Sequence, residues 1–187
     1  MASRRKGRIL AFQALYSWEA SRHGDMQKGN GQDAREHHLI PEDLLNFSWL
    51  EADKKAGLDD NISSFSRLLI VGTIENIKAI DSMIRSHLKN WDISRLNRVD
   101  LAILRMSTYT LMYQQDVAPS IAINEAIGIS KEFGADESFR FVNGVLDSIQ
   151  KTIHIPQGSG LCTEDIEAAG TYKRGTAVSP NKDDRIL

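Results

Sequence analysis

Apolar residues recur along this chain at intervals of three, four and seven. That is the period of an α-helix, and no stretch alternates as a half-buried strand does. The pattern predicts six helices. The first spans about Ser3 to Arg22, with Ser3 as its N-cap. From Ile9 to Trp18 its apolar residues cover most of the circumference and leave only the strip of Lys6, Gln13, Ser17 and Ala20 polar or small. A helix apolar on most sides is packed on most sides, so it belongs at the centre of the core. Residues 23–38 read as a polar, glycine-rich loop. The second helix opens at Pro41, a residue suited to position N1, carries Leu44, Leu45, Phe47 and Leu50, and ends by Gly57. The third starts at Asp59 or Asp60 and runs to about Leu88. The fourth, Leu96 to Gln115, is apolar on two faces and is a second central helix. The fifth opens at Pro119 and closes at Gly134, read as a C′ glycine. The sixth runs from Asp136 as N-cap to Ile153, with Phe139, Val142, Leu146 and Ile149 on one face. Gly144 costs about 1 kcal/mol against alanine in mid-helix, which points to a close helix contact there. Beyond Ile153 glycines and prolines break the pattern and large apolar residues thin out, predicting a disordered tail over 154–187. The expectation is an all-α domain over residues 1–153.

Composition sharpens this picture in one place. The 187 residues are 41% hydrophobic and 26% charged, which suits one domain with a real core. The single cysteine, Cys162, has no partner in the chain and fits a reducing cytoplasm. No apolar run approaches the roughly 20 residues that cross a bilayer. The basic start before apolar residues resembles a signal peptide only briefly, since Gln13, Ser17 and Glu19 break the run and no cleavage site follows. The sequence pI near 6.2 excludes bulk basicity as a route to nucleic acid. Yet Arg4, Arg5, Lys6 and Arg8 put four positive charges on the first helix, leaving the rest of a chain of net charge −2 at −6. Adjacent cations repel one another, so such a cluster points to a polyanion, and the apolar helix behind it gives the charges a rigid base. A solvated terminus is the bland alternative.

No dinucleotide fingerprint, P-loop or nucleophile elbow is present. Gly158-Ser159-Gly160 has no strand before it and reads as linker. Among the histidines only His37-His38 beside Glu36 resembles a ligand cluster, and it has no metal-site spacing. Cys162 has no basic neighbourhood to activate it, and Asp59-Asp60 reads as a helix cap. Catalytic residues, metals and cofactors are therefore not expected. Arg105 stands out inside the apolar run Asp100–Met106. It is either one half of an ion pair, with Asp100 or another acid, or a polar anchor at the edge of a partner surface. Phe139 and Phe141 point about 200° apart on the sixth helix. Phe141 is read first as core. If one of the two rings is exposed beside Asn143, it can stack on an unpaired base while the amide bonds its edge.

Several strings resemble the NusB family of bacterial transcription antitermination factors. They are Arg4-Arg5-Lys6-Gly7-Arg8, Gln13-Ala14-Leu15-Tyr16-Ser17-Trp18, Val99–Arg105, Ala122–Ile127, Phe133-Gly134 and Phe141-Val142-Asn143-Gly144-Val145-Leu146-Asp147. The resemblance spans about residues 3 to 152. It implies two three-helix bundles packed crosswise and no catalysis. It implies binding of single-stranded boxA RNA in ribosomal RNA operon leaders, together with NusE, a small-subunit ribosomal protein, in a complex with the elongating RNA polymerase. It assigns RNA contacts to Arg4, Arg5, Lys6, Arg8, Tyr16, Glu137, Phe141 and Asn143, and contacts with NusE to Asp100 and Arg105. Self-association through the NusE surface stays open, as does a pure protein-interaction module whose basic tip meets an acidic partner. Lys6 and Gly7 depart from the family's motif, and Gly7 is expected to loosen the first turn. Replacing Arg5 and Arg8 with alanine is expected to weaken RNA binding with the thermal midpoint nearly unchanged.

Overall fold

The computed structural model describes residues 2–27, 40–88 and 91–153. Among them the backbone is helical, with no strand. In chain order the helices are α1 (Ala2–Gln27), α2 (Glu42–Leu45), α3 (Ala52–Ala56), α4 (Asp60–Glu75), α5 (Ile77–His87), α6 (Arg98–Tyr113), α7 (Pro119–Phe133) and α8 (Ser138–Ile153), with a 3₁₀ turn at Ile93–Arg95 before α6. The expected tail, its Gly158-Ser159-Gly160 and Cys162, and the His37-His38 pair lie outside the described residues.

Helix α6 is the hub. Asp100 to Leu111 is buried without a gap, which its two apolar faces required. It packs against α1, α4, α5, α7 and α8, and α7 packs against α8. The predicted third helix is corrected at Asn76, where it divides into α4 and α5. The Asn76 side chain donates to the Gly72 carbonyl at 2.8 Å and competes for the last turn of α4. The break matters, because it sends α5 to α6 and α8 instead of continuing along α1. The predicted second helix is likewise two short helices. Between them Phe47 adopts a left-handed φ of 51°, and its ring is 1% exposed. Burial of that ring holds the chain in a conformation a bulky residue otherwise avoids.

The helix ends carry further corrections. α1 begins at Ala2, so Ser3 lies inside the helix and is not its cap, and α1 continues to Gln27 through the start of the expected loop. α8 begins at Ser138, two residues after the expected Asp136, behind a left-handed Glu137 with φ of 69°. Gly134 caps α7 with φ −84°, outside the left-handed region. It is needed for closeness instead, since a Cβ there would sit 2.5 Å from the Ser130 carbonyl oxygen. Gly144 faces open space with nothing within 4 Å of a Cβ, so the expected close helix contact is absent.

Gly7 is the opposite case. It is buried where α1 crosses α4, and a Cβ would stand 2.7 Å from Phe65 Cδ1. Its carbonyl accepts from Ser66 Oγ at 3.0 Å. Gly7 therefore seats the first turns of α1 and does not loosen them. Gly7→Ala gains about 1 kcal/mol of helix propensity but overpacks the crossing at about 1–3 kcal/mol. The expected outcome in urea unfolding is a net loss near 1 kcal/mol. A net gain would show that Phe65 yields.

Candidate nucleic-acid interface

The four cations of the tip, alike in sequence, have four different fates. Arg4 and Lys6 are exposed. Arg4 lays its guanidinium 4.3 Å from the centroid of the Phe65 ring, a cation–π contact that gives the side chain a direction without neutralising it. Arg8 is buried, 5.3 Å from the same ring. Burial pushes its pKa down, Glu125 pulls it up and Arg4 pushes it down further. Arg5 leaves the cluster and crosses to α7, where Nη2 donates to Glu132 Oε2 at 3.0 Å and Nη1 stands 3.6 Å from Glu125 Oε2. Of the four positive charges on the first helix, two are thus exposed, one is ion-paired and one is buried. The double change of Arg5 and Arg8 to alanine is consequently expected to lower the thermal midpoint, because it removes a buried stem and an interhelical ion pair.

Tyr16 is 39% exposed. Its ring lies 6.4 Å from Phe12, which in turn lies 5.2 Å from Phe133 at the end of α7. Arg5 and Phe12 of α1 therefore both meet the last turn of α7, at Glu132 and Phe133. That turn leads through residues 134–137 directly into α8. The tip and the start of α8 are joined through one shared neighbour, although they are more than a hundred residues apart in the chain.

At the start of α8 one of the two phenylalanines departs from its expected role. Phe141 is half-buried and packs on the core, whereas Phe139, placed by its periodicity on the core face, is half-buried outside it. Lys131 Nζ stands 4.9 Å from the Phe139 centroid and Arg140 Cζ 5.6 Å. Glu137 is exposed and pairs with Arg140, and Asn143 is exposed. An aromatic ring flanked by two cations suits a base and its phosphate. Sequence periodicity missed it because a helix start can lie beyond the edge of the helix it packs on. The signal available was Lys131, a lone cation in the last turn of α7.

Asp100 and Arg105, assigned by the resemblance to a partner surface, are both turned inward. Asp100 accepts from Asn97 Nδ2 at 2.6 Å and from Ser138 Oγ at 3.0 Å, while its own N–H donates to Asn97 Oδ1 at 2.8 Å. It thereby closes a reciprocal cap on α6 and pins the first residue of α8. Burial raises its pKa, and the hydrogen bonds from Ser138 and Asn97 oppose the rise. Arg105 forms an ion pair, as one of its two readings expected, but Asp100 is not the partner. Arg105 Nε and Nη2 donate to the two carboxylate oxygens of Asp81 at 2.8 Å each, and Nη1 donates to Glu19. Burial opposes its charge, and the Asp81 and Glu19 carboxylates more than restore it, leaving the pKa raised.

Among the described residues no group of three His, Cys, Asp or Glu side chains is placed to hold a metal ion, and no helix is long and apolar enough to cross a membrane. The NusB family profile matches residues 5–151. The transcription antitermination protein NusB of Treponema denticola is 48% identical over 147 residues, covering 79% of this chain and 95% of that protein. The corresponding protein of Treponema pallidum (strain Nichols) is 45% identical over 149 residues, covering 80% of this chain and 93% of its own length. A solved structure of T. maritima NusB superposes with a TM-score of 0.62 at 33% identity, covering 79% of this chain and 90% of that one. With the buried hub, the seated basic helix and these relatives in agreement, the chain belongs to the NusB family.

Proposed function

We propose that this chain is a transcription antitermination factor that binds single-stranded boxA RNA from ribosomal RNA operon leaders together with NusE and joins the elongating RNA polymerase. The observation that carries the RNA reading is the pair of exposed cations, Arg4 and Lys6, with no carboxylate at ion-pair distance among the described residues, on a helix whose first turns are fixed against α4. Phosphates meet Arg4 and Lys6, and Arg8 acts from beneath as the buried stem of the cluster. Tyr16 and Phe139 offer ring faces, while Glu137 and Asn143 offer polar groups that read base edges. Phe141 anchors α8 by its packed side. Asp100 and Arg105 serve the NusE surface indirectly, by holding α6 against α8 and α5. Two exposed cations bind few phosphates, so affinity is low without a partner that adds contacts and orders the site.

Filter binding with a boxA RNA and a scrambled RNA, with and without NusE and at two salt concentrations, tests this reading. The expected result is preferential binding of boxA, tightened by NusE and weakened by salt. Binding that ignores the boxA sequence both with and without NusE would overturn it in favour of a protein-interaction module.

A further inference from the structure

Arg5 occupies a slot built on α7. Glu125, Gly128 and Glu132 recur at intervals of three and four and so share one helix face. A Cβ at Gly128 would stand 2.7 Å from Arg5 Nη1, so the missing side chain makes the space in which the guanidinium lies. Carboxylates flank it, Glu132 Oε2 at 3.0 Å and Glu125 Oε2 at 3.6 Å. Glu125 Oε2 is buried and accepts no hydrogen bond, and its charge is offset by the Arg5 guanidinium at 3.6 Å together with the field of buried Arg8. Among the described residues neither Arg4 nor Lys6 has a carboxylate within ion-pair distance, so the restraint is specific to Arg5.

We propose that Glu132 and Glu125 form an acidic latch that withholds Arg5 from RNA phosphate and so sets the affinity of the site. The proposal rests on the RNA-binding reading above. A phosphate takes a guanidinium best through two parallel N–H donors. With Nη2 committed to Glu132 and Nη1 beside Glu125, a phosphate has to displace Glu132 first. Glu132 is the movable half, with a side chain 48% exposed against 27% for Glu125. Binding is then an exchange of a carboxylate for a phosphate on one arginine, and its equilibrium is tuned by α7.

The test is a double-mutant cycle, read as boxA RNA affinity in the presence of NusE. Glu132→Gln keeps the size of the side chain and removes its charge. It is expected to tighten RNA binding about two- to fivefold, the range of a partly exposed ion pair. In an Arg5→Ala background the same change is expected to have no effect. Gly128→Ala, which fills the slot, is expected to tighten binding like Glu132→Gln. Circular dichroism melting checks that each variant is folded. If wild type binds boxA RNA and Glu132→Gln binds it no more tightly, the latch is wrong and the ion pair only docks α1 on α7. A gain that persists without Arg5 also overturns it, by showing a general field effect. Absence of RNA binding by the wild type would overturn the RNA reading itself, and the latch with it.

Discussion

Arg105→Ala will cost about 3–5 kcal/mol of folding stability, seen as a large drop in the urea midpoint, because it takes the shared guanidinium from two buried carboxylates. Arg105, Glu19 and Asp81 are all buried and come from α6, α1 and α5. Removing the guanidinium leaves Asp81 without either of its 2.8 Å donors and Glu19 without its Arg105 contact. Replacing all three groups together with apolar residues of similar volume should recover most of the loss, since the penalty belongs to unpaired buried charge and not to the absence of charge. A loss below about 1 kcal/mol for Arg105→Ala would mean that water reaches the acids. RNA affinity of the folded fraction should not change if Arg105 acts only within the core. A loss of NusE binding at unchanged stability would return Arg105 to the partner surface.

Arg4→Ala combined with Lys6→Ala will weaken RNA binding by about a hundredfold or more, the effect of two charge-assisted phosphate contacts. Each phosphate on a single strand contributes a salt slope of about −0.7, so the slope of log affinity against log salt should flatten by about 1.4. Stability should hardly move, since both side chains are exposed. Arg8→Ala is the contrast. It vacates a buried position against Phe65, so it should lower the thermal midpoint and affect RNA through the seating of α1. An unchanged salt slope in the Arg4 and Lys6 variant would show that the phosphates lie elsewhere.

Helix periodicity carried much of the fold because burial is periodic within a single helix. The all-round apolar body of α1 and the two apolar faces of α6 correspond to helices buried on most sides, and Asp59 caps α4 through Asn61 N–H at 2.7 Å. Periodicity could not place Asn76. A break inside a continuous apolar pattern is decided by one side chain competing for a carbonyl, and α4 and α5 share the same periodic signature. It also misjudged Gly7 and Gly144. Whether a glycine serves packing depends on what crosses the helix there, and that lies tens of residues away in sequence.

The sequence by itself determined an all-helical chain, two central helices, and a basic tip on a rigid base with the residue strings of a family. These follow from local chemistry: helical spacing, caps and charge density within a few turns. Only the tertiary structure decided what each charge does. Phe65 of α4 buries Arg8 and steadies Arg4, Glu125 and Glu132 of α7 hold Arg5, and Lys6 is left in solvent. Arg105 proved to be bound by Asp81 and Glu19 from two other helices, and Phe139, not Phe141, proved to be the ring outside the core. Side chains with the same local signal receive different partners because their partners come from distant helices, and no local pattern encodes which helix crosses which.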